Sequence, residues 1–400
     1  MFDSDFITNP YRTYSHLRTA APLHWVDKFR GGAWLVTRYA DVLAGLHDSR
    51  LSSKRSHTLT AALPREAQAE FTTFNEIFSK WMLFLDPPEH SRLRKLLNKE
   101  FTPHMIQRLR PRIQQVVNEL LNKVAGKSEM EFMTEFANPL PVRVIAEMLG
   151  IPSEDQRDFQ IWSDDLADFF GNASPSVEKA RRAQDSLVSL TEYFRSLLPE
   201  RRKNKGDDLV SLLLRVEEEG EVLTGEELLG QCTLLLVAGH ETTRNLLGNG
   251  LLALLQHSDQ FAKLKENPSL ISSGVREFAR FNSPVQFSGR AATEDFAWHD
   301  QEIRKGQTVV LLLGSANHDP QKFSNPERLE VSRDEGMALS FGHGTHFCIG
   351  AALAYSEAEI AFSTLLERTS SLRLLDDVPA WRPNFSFRGL RRLPLSLSVQ

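Results

Sequence analysis

The sequence predicts a mainly helical fold with a minor β component. Two stretches carry apolar residues at helical spacing, Ile106 to Val124 and Leu187 to Leu198. A third stretch, Leu228 to His257, is apolar on nearly every side, which is typical of a helix that passes through a core. Short runs rich in Val, Leu and Trp predict the strands, among them Trp34 to Thr37 and Thr308 to Leu312.

The other elements fit the same architecture. Leu23 to Val26 is the expected partner of the strand at Trp34 to Thr37. In the stretch from Ile106 to Val124, the apolar stripe runs from Ile106 to Leu121. Another helix is expected to begin at Asp207. The length would allow two or three ordinary domains, but no segment has the composition of a linker that would divide the chain.

Composition excludes several classes of protein. The chain has 400 residues, of which 41% are apolar and 25% charged, as in ordinary globular proteins. Its net charge of −5 argues against nucleic acid or an anionic membrane as the main partner. The N-terminus has neither a basic start nor an apolar run, so we expect no signal peptide and no membrane anchor. Two cysteines exclude a disulfide-rich scaffold, and we expect a cytoplasmic protein with reduced thiols.

The long helix has an unusual centre. Thr224 and Glu227 have the spacing of a capping box and predict its start. Gly239 to Arg244 then places polar groups where apolar ones are expected, and a threonine there can bond back to a carbonyl one turn earlier, which favours a local bend. Two interpretations stay open at this point. Either neighbours satisfy these groups or they reach a surface, or a distorted turn presents a hydroxyl and a carboxylate to a cavity.

A glycine-rich segment, Phe341 to Gly350, surrounds Cys348 and precedes a predicted helix from Ala351 to Glu367. Its glycines allow tight turns and a close approach of the backbone to a flat group. The following helix N-terminus favours the thiolate form of the cysteine, which makes it a candidate nucleophile or metal ligand.

Three kinds of site compete for this cysteine. A structural zinc could use His343, His346 and Cys348, but no fourth ligand is evident nearby. A thiol hydrolase needs a base elsewhere, and no hydrolase signature surrounds Cys348. A haem iron ligand explains the glycines, the thiolate and the large apolar interior together.

Several motifs resemble those of the cytochrome P-450 haem-thiolate monooxygenases. Phe341 to Gly350 matches the family signature Phe-Gly-x-Gly-x-His-x-Cys-x-Gly at every fixed position, and Ala238 to Thr243 is similar to the oxygen-activation motif. Glu277 to Arg280 supplies Glu-x-x-Arg, an ion pair expected to be structural, and Pro326 to Arg328 resembles the segment that completes that cluster. Asp86 to Arg94 resembles the segment leading to the haem propionates. The matches span nearly the whole chain, in family order.

The resemblance implies one large triangular domain of the soluble bacterial type, over residues 1–400. It implies haem b, with Cys348 as axial ligand to the iron. The other residues expected at the cofactor are His90, Arg94, Arg290 and His346, which would hold the propionates, and Phe341. Thr242 and Glu241 are the expected catalytic residues, supplying protons during dioxygen activation.

The resemblance also implies the reaction and its partners. We expect hydroxylation or epoxidation of a lipophilic small molecule, of polyketide or fatty-acyl type in secondary metabolism, with electrons from a ferredoxin and a ferredoxin reductase. Arg92, Lys95 and Lys99 are candidates for steering that donor. The expected substrate contacts are Leu85, Val237, Val285, Phe287, Ser288 and Phe387.

Two other functions stay open on the same scaffold: a peroxide-driven haem oxidase, and a haem- or ligand-binding protein without turnover.

Three residues depart from the family pattern. Tyr355 and His318 replace arginines that are common in soluble relatives, and Leu329 replaces a common phenylalanine. These departures bear on the donor face and on packing beneath the haem.

Overall fold

The computed structural model describes residues 4–27, 29–61, 63–99, 101–172, 175–204, 206, 208–218 and 223–399. It confirms a mainly helical protein with small sheets. The helices are α1 Ser4–Thr8, α2 Pro10–Ala20, α3 Tyr39–His47, α4 Thr58–Ala61, α5 Arg65–Gln68, α6 Thr72–Ser79, α7 Glu89–Asn98, α8 Pro103–Val124, α9 Pro139–Met148, α10 Gln156–Phe170, α11 Val177–Lys203, α12 Leu209–Glu218, α13 Gly225–Gln256, α14 Ser258–Glu266, α15 Ile271–Phe281, α16 Leu313–Ala316 and α17 Ala351–Arg368.

The strands form small sheets at the edges of the helical body. They are β1 Leu23–Val26, β2 Ala33–Val36, β3 Leu51–Ser52, β4 Glu129–Glu131, β5 Ser288–Ala292, β6 Phe296–Trp298, β7 Gln301–Ile303, β8 Thr308–Leu311, β9 Thr369–Leu374, β10 Ala380–Trp381, β11 Leu390–Arg392 and β12 Pro394–Val399. The largest sheet has the order β1-β2-β8-β5-β3, in which β2 and β8 are parallel.

The predicted elements are found with small shifts at their ends. Antiparallel pairing of β1 with β2 sets Trp25 opposite Trp34, with ring centroids 5.4 Å apart, which confirms the predicted pair. Both predicted amphipathic stretches lie inside longer helices, α8 and α11. The residue expected to begin the next helix, Asp207, is outside the described residues, and α12 begins at Leu209.

Helix α13 is the central element of the fold. Its capping box is present, because the Thr224 side chain accepts from the N–H of Glu227 while the Glu227 side chain accepts from the N–H of Thr224. From Leu228 to Leu254 this fully described stretch is buried except at Ala238, Gly239 and Thr242. Ala238, Gly239 and Thr242 lie within about one turn of each other, so one side of the helix is accessible there.

Candidate haem-binding and catalytic site

The cysteine loop is closed by hydrogen bonds that its glycines permit. Gly342 and Gly344 adopt positive φ values of 70° and 68°, which side chains with a Cβ rarely take. The loop folds back so that the N–H of Cys348 donates to the carbonyl of Phe341 at 2.9 Å. Helix α17 then begins at Ala351, three residues after the cysteine, as the sequence predicted.

The surroundings of Cys348 act in opposite directions on the pKa of its thiol. Burial raises its pKa, whereas backbone N–H groups of Gly350 and Ala351 and the positive charge of Arg94 lower it. These donors and the helix N-terminus favour negative charge on the sulfur. Since burial still outweighs them, a stable thiolate here requires a cation, and a haem iron meets that requirement.

Three of the four residues predicted for the propionates surround the rim of this loop. The rings of His90 and His346 lie 4.1 Å apart, and Nη1 of Arg94 donates to the carbonyl of Phe347 at 2.6 Å. Both ring nitrogens of His90 are buried without a hydrogen-bond partner among the described residues. Burial first, and neighbouring arginines second, lower the pKa of His90 to about 4 and that of His346 to about 2.

Arg290, the fourth predicted propionate residue, belongs to the same cationic group. It is 4% exposed, and its Nη1 donates to Ser288 Oγ at 2.7 Å and to the carbonyl of Gly289 at 2.8 Å. Burial lowers its pKa to about 10, and its charge depresses the pKa of His346. A buried cluster of cations and donor-ready histidines fits a group that carries two carboxylates, as haem does.

Arg55 joins this cluster, although no motif pointed to it. A Cβ built on Gly289 would lie 2.8 Å from Nε of Arg55, and the Arg55 guanidinium sits 5.0 Å from the ring centroid of Phe84. Burial lowers its pKa to about 9, and the charge of Arg290 adds to the effect. Only the folded structure reveals its location, because the segment around it carries no recognisable signature.

The two expected catalytic residues face different surroundings. Thr242 Oγ1 donates to the carbonyl of Ala238 at 3.0 Å, the predicted bond to the preceding turn, and the Thr242 side chain is partly exposed. Glu241 is 2% exposed, and its carboxylate accepts from Asn245 at 2.9 Å and pairs with Arg244. The helix continues through this region as α13.

A network missed by the sequence reasoning surrounds Glu241. Arg382 donates to both of its oxygens at 3.3 Å, and Asp164 on α10 pairs with Arg244 at 2.6 Å and with Arg382 at 3.6 Å. Burial raises the pKa of Asp164 to about 6, with the charge of Glu241 adding to the rise and Arg244 opposing it. Two carboxylates therefore share two guanidiniums beside the central turn of α13.

The Glu-x-x-Arg pair forms a buried cluster, as expected, but one partner differs. Arg280 donates to Glu277 at 2.7 and 2.8 Å, and also to the carbonyl of Pro326 at 2.9 Å. The arginine that completes the cluster is Arg333, whose Nε lies 3.1 and 3.2 Å from the two Glu277 oxygens. The segment ending at Arg328 contributes main-chain carbonyls, while the Arg328 side chain is exposed.

The predicted substrate contacts come from four segments of the chain, and their role toward a substrate stays a prediction. Val285 and Phe387 are joined by an isolated β-bridge, and Phe287 stacks on Phe385 at 4.9 Å. Five of the six are partly exposed although they belong to interior segments: Leu85, Val285, Phe287, Ser288 and Phe387. The remaining one, Val237, is 7% exposed on α13, one residue before the open positions.

On the cysteine side, Tyr355 packs against Phe341 with ring centroids 4.7 Å apart, in the place of the usual arginine. Of the candidate steering residues, Arg92 is ion-paired with Glu227, and Lys95 and Lys99 are exposed. The pairing of Arg92 reduces the positive charge that the sequence led us to expect on this face.

The described residues contain neither a cluster of metal-binding side chains nor a membrane-spanning helix. Within the described ranges, no group of three or more His, Cys, Asp and Glu side chains is arranged to hold a metal ion, so the zinc alternative gains no support. Across the same residues, no helix has the length and apolar character needed to span a bilayer.

Comparisons with known proteins agree with this geometry. The family model for Cytochrome P450 matches residues 34–379. Cytochrome P450 CYP107DY1 of Priestia megaterium is 41% identical over 383 residues, covering 94% of this chain and 92% of that protein. Polyketide biosynthesis cytochrome P450 PksS of Bacillus subtilis is 39% identical, covering 98% and 97%.

Solved structures of cytochrome P450 proteins have the same fold as this chain. The structure of P450BioI in complex with hexadec-9Z-enoic acid ligated acyl carrier protein superposes with a TM-score of 0.92 at 39% identity, covering 99% of each chain. That of CYP267B1, a myxobacterial protein in complex with myristic acid, gives 0.90 at 36% identity, covering 100% of this chain and 98% of the other. Members of the family are monooxygenases that use haem b with a cysteine thiolate axial ligand and external electron donors. The chain belongs to the cytochrome P450 family.

Proposed function

We propose that this chain binds haem b through Cys348 and inserts oxygen into a lipophilic substrate of fatty-acyl or polyketide type. The observation that carries the proposal is the partly exposed Cys348 thiol, which has backbone donors on its sulfur and, at the rim of its loop, the guanidiniums of Arg94 and Arg290. The named substrates and pathways of PksS and P450BioI support the substrate class.

In this proposal His90, Arg94, Arg290 and His346 hold the two propionates, and Phe341 lies against the ring. When bound, the haem supplies the reductive activation of dioxygen. The protein contributes position and charge, since buried arginines neutralise the carboxylates and the glycine turns bring the loop close to the ring.

Thr242 and Glu241 divide proton supply between them. The partly exposed Thr242 would donate to oxygen through its hydroxyl, while Glu241 connects to the partly exposed Asp164 through shared arginines. Asp164 has 35% side-chain exposure, which links the network to solvent. Because guanidiniums do not release protons, the protons would pass between the two carboxylates through water, while the apolar side chains of Phe287 and Phe387 limit the entry of bulk water.

A ferredoxin, reduced by a ferredoxin reductase, is the proposed electron donor. The chain offers the exposed Lys95 on α7, which also carries Arg94, and the exposed Lys99 directly after the helix. Opposite charge on a small acidic donor would steer it to this face, and the effect would weaken with ionic strength.

The test is turnover with a surrogate ferredoxin, its reductase and NADPH, using a long-chain fatty acid, its acyl-carrier-protein conjugate and a macrolactone. We expect an oxygenated product from at least one of them, with its new oxygen derived from labelled dioxygen. Product formed only when hydrogen peroxide replaces the donor would favour a peroxide-driven oxidase. Absence of product and of any spectral response to these compounds, in a haem-loaded protein, would contradict the proposed function.

The role of Thr242 is tested with Thr242→Ala. The variant should retain haem and ligand binding but release more of its electrons as hydrogen peroxide, because the hydroxyl that would donate to oxygen is lost. Thr243→Val is the matched control, since Thr243 is the next residue and is 3% exposed. Equal peroxide and product yields in Thr242→Ala and the unmodified protein would refute the role.

A further inference from the structure

Three side chains hold the buried carboxylate of Glu241. Asn245 donates to its Oε1 at 2.9 Å, Arg244 pairs with its Oε2, and Nη1 of Arg382 donates to both oxygens at 3.3 Å. Asn245 and Arg244 belong to α13, as Glu241 does, and move with it. Of these three partners, Arg382 is the one from another element, so it fixes the carboxylate relative to the rest of the site.

Arg382 begins the turn that joins β10 to β11, which we call the 382–389 turn. Its N–H donates to the carbonyl of Gly389 at 2.9 Å, and its carbonyl accepts from the N–H of Asn384 at 2.8 Å. The side chain of Asn384 accepts from the N–H of Phe387 at 2.7 Å. Phe387 is a predicted substrate contact, so two hydrogen bonds through Asn384 connect that contact to Arg382.

The 382–389 turn is also fastened to the C-terminal end of α10. Three donors of the turn bond to carbonyls there: Asn384 Nδ2 to Ala167 at 2.9 Å, the N–H of Phe385 to Gly171 at 2.8 Å, and Ser386 Oγ to Phe170 at 2.8 Å. Helix α10 carries Asp164, which lies 3.6 Å from Arg382. The turn, α10 and the carboxylate of Glu241 therefore belong to one continuous set of polar contacts.

The two arginines of this set differ in how closely they are bound. Arg244 has a side chain that is 4% exposed, and it lies 2.6 Å from Asp164. Arg382 is 22% exposed, and its contacts with Glu241 are longer than the usual 2.9–3.0 Å of N–H···O bonds. Hydrogen bonds of catalytic groups are often long without substrate and tighten when it binds. The contact of Arg382 with Glu241 has room to tighten in this way.

We propose that Arg382 is a positioning residue that sets the orientation of the Glu241 carboxylate according to the position of the 382–389 turn. This proposal rests on the proposed function, because proton supply by Glu241 belongs to that function. A lipophilic substrate packed against Phe387 would press on the turn and bring Arg382 closer to Glu241. Proton supply would then be most effective when the substrate site is filled.

The test is turnover of the haem-loaded protein with a surrogate ferredoxin, its reductase, NADPH and palmitic acid. NADPH consumed and hydrogen peroxide formed give the ratio of coupled to peroxide-releasing turnovers. We expect Arg382→Gln to lower this ratio by about tenfold, since a positioned acid contributes at least about a hundredfold to proton transfer. The Kd for palmitic acid, from spectral titration, should change by less than about twofold.

Two variants separate positioning from a general effect of charge or folding. Arg382→Lys keeps the positive charge and should recover part of the ratio, because a lysine lacks only the planar donor arrangement. Arg392→Gln is the matched control on the same hairpin, since Arg392 is 60% exposed and pairs with Asp376 at 2.7 Å. The control should leave both the ratio and Kd unchanged. A lysine variant no better than Arg382→Gln would overturn the positioning role.

Double-mutant cycles test the two contacts on which the proposal depends. The losses of melting temperature in Arg382→Gln and Glu241→Gln should not add in the double variant, as is usual for side chains in contact. Phe387→Ala should lower the ratio of coupled turnovers in the unmodified protein and add little to the effect of Arg382→Gln. Additive losses of melting temperature would overturn the contact, and additive losses of the ratio would overturn the link to the turn.

The same measurements distinguish this proposal from the function on which it rests. A lower ratio in Glu241→Gln together with an unchanged ratio per haem in Arg382→Gln would overturn the positioning role and leave the proposed function standing. An unchanged ratio in both variants would contradict the role of Glu241 and overturn both. No spectral response of the unmodified protein to palmitic acid, its acyl-carrier-protein conjugate or the macrolactone would also overturn both proposals.

Discussion

Replacing Glu277 with glutamine should be among the more damaging single changes remote from the haem. Glu277 is 2% exposed and accepts from Arg280, from Arg333 and, at 2.9 Å, from the N–H of Glu330. The amide would leave two guanidiniums, 2% and 8% exposed, without their carboxylate. Removing one partner of a buried ion pair costs about 3–5 kcal/mol.

This cost can be converted to a change in melting temperature. The entropy of unfolding is about 2.1 cal/mol/K per residue, or roughly 0.8 kcal/mol/K for 400 residues. Each kcal/mol therefore lowers Tm by about 1.2 °C, and Glu277→Gln should lower it by roughly 4–6 °C. Arg333→Gln should cost less, because Arg280 still pairs with Glu277.

The assay is calorimetry of the haem-loaded variants at one scan rate, with haem content measured alongside. Glu302→Gln is the matched control, because Glu302 pairs with Arg304 at 3.2 Å in a setting where the side chains are 64% and 67% exposed. It should shift Tm by no more than about 1 °C. A Tm shift in Glu277→Gln as small as that of the control would refute the claim that Glu277 stabilises the fold by compensating two buried guanidiniums.

Three smaller predictions concern buried polar groups and a helix start. Burial raises the pKa of Glu357 to about 8, so the contribution of this group to stability falls as pH rises from about 4.3 toward that value. Across this window Glu357→Gln should gain stability relative to the unmodified protein, by up to about 1.4 kcal/mol per pH unit in denaturant titrations. The matched control Glu367→Gln changes an exposed glutamate and should show no such gain. Thr233→Val should lower the free energy of unfolding by about 1–3 kcal/mol, because the buried Trp81 Nε1–H loses its acceptor at 2.9 Å; an unchanged denaturation midpoint would count against that bond. Thr224→Ala should cost about 1 kcal/mol in the same titrations by removing the cap of α13, and a neutral result would show that the cap is redundant.

Local sequence patterns predicted the structural features that depend on residues close together in the chain. The capping box at Thr224 needs two side chains three residues apart, and the cysteine loop needs glycines where φ is positive. Helices α8 and α13 carry their packing pattern in their own sequence, and only their ends were displaced. The sequence also predicted His90 and Arg94 together, since they lie within one motif, and both contact the cysteine loop.

The residues that were missed depend on contacts between distant segments. Arg333 replaces Arg328 in the Glu277 cluster because the turn between them reverses the chain, which no spacing rule encodes. Arg382 reaches Glu241 from a segment 141 residues away, and Arg55 becomes significant only beside Arg290. Burial of an arginine follows from the whole fold, whereas its sequence neighbours resemble an ordinary surface loop.

Of the two interpretations of the polar centre of α13, satisfaction by neighbours holds for Glu241 and Arg244. Thr242 is partly exposed and bonds back to Ala238, and a cavity in front of its hydroxyl stays a prediction. Adjacent residues on a helix are separated by about 100°, so one turn can serve a buried network and a cavity at once. The sequence indicated the polar turn, and the partners on α10 and at Arg382 decided which group faces which way.

The central claim, that Cys348 ligates haem as a thiolate, is tested most directly by the carbon monoxide difference spectrum of the dithionite-reduced protein. We predict a strongly red-shifted Soret band, which reports thiolate ligation, and its loss in Cys348→Ser. A haem-loaded protein whose Soret band stays at the position typical of a neutral axial ligand, or a protein that takes up no haem on reconstitution, would contradict the account.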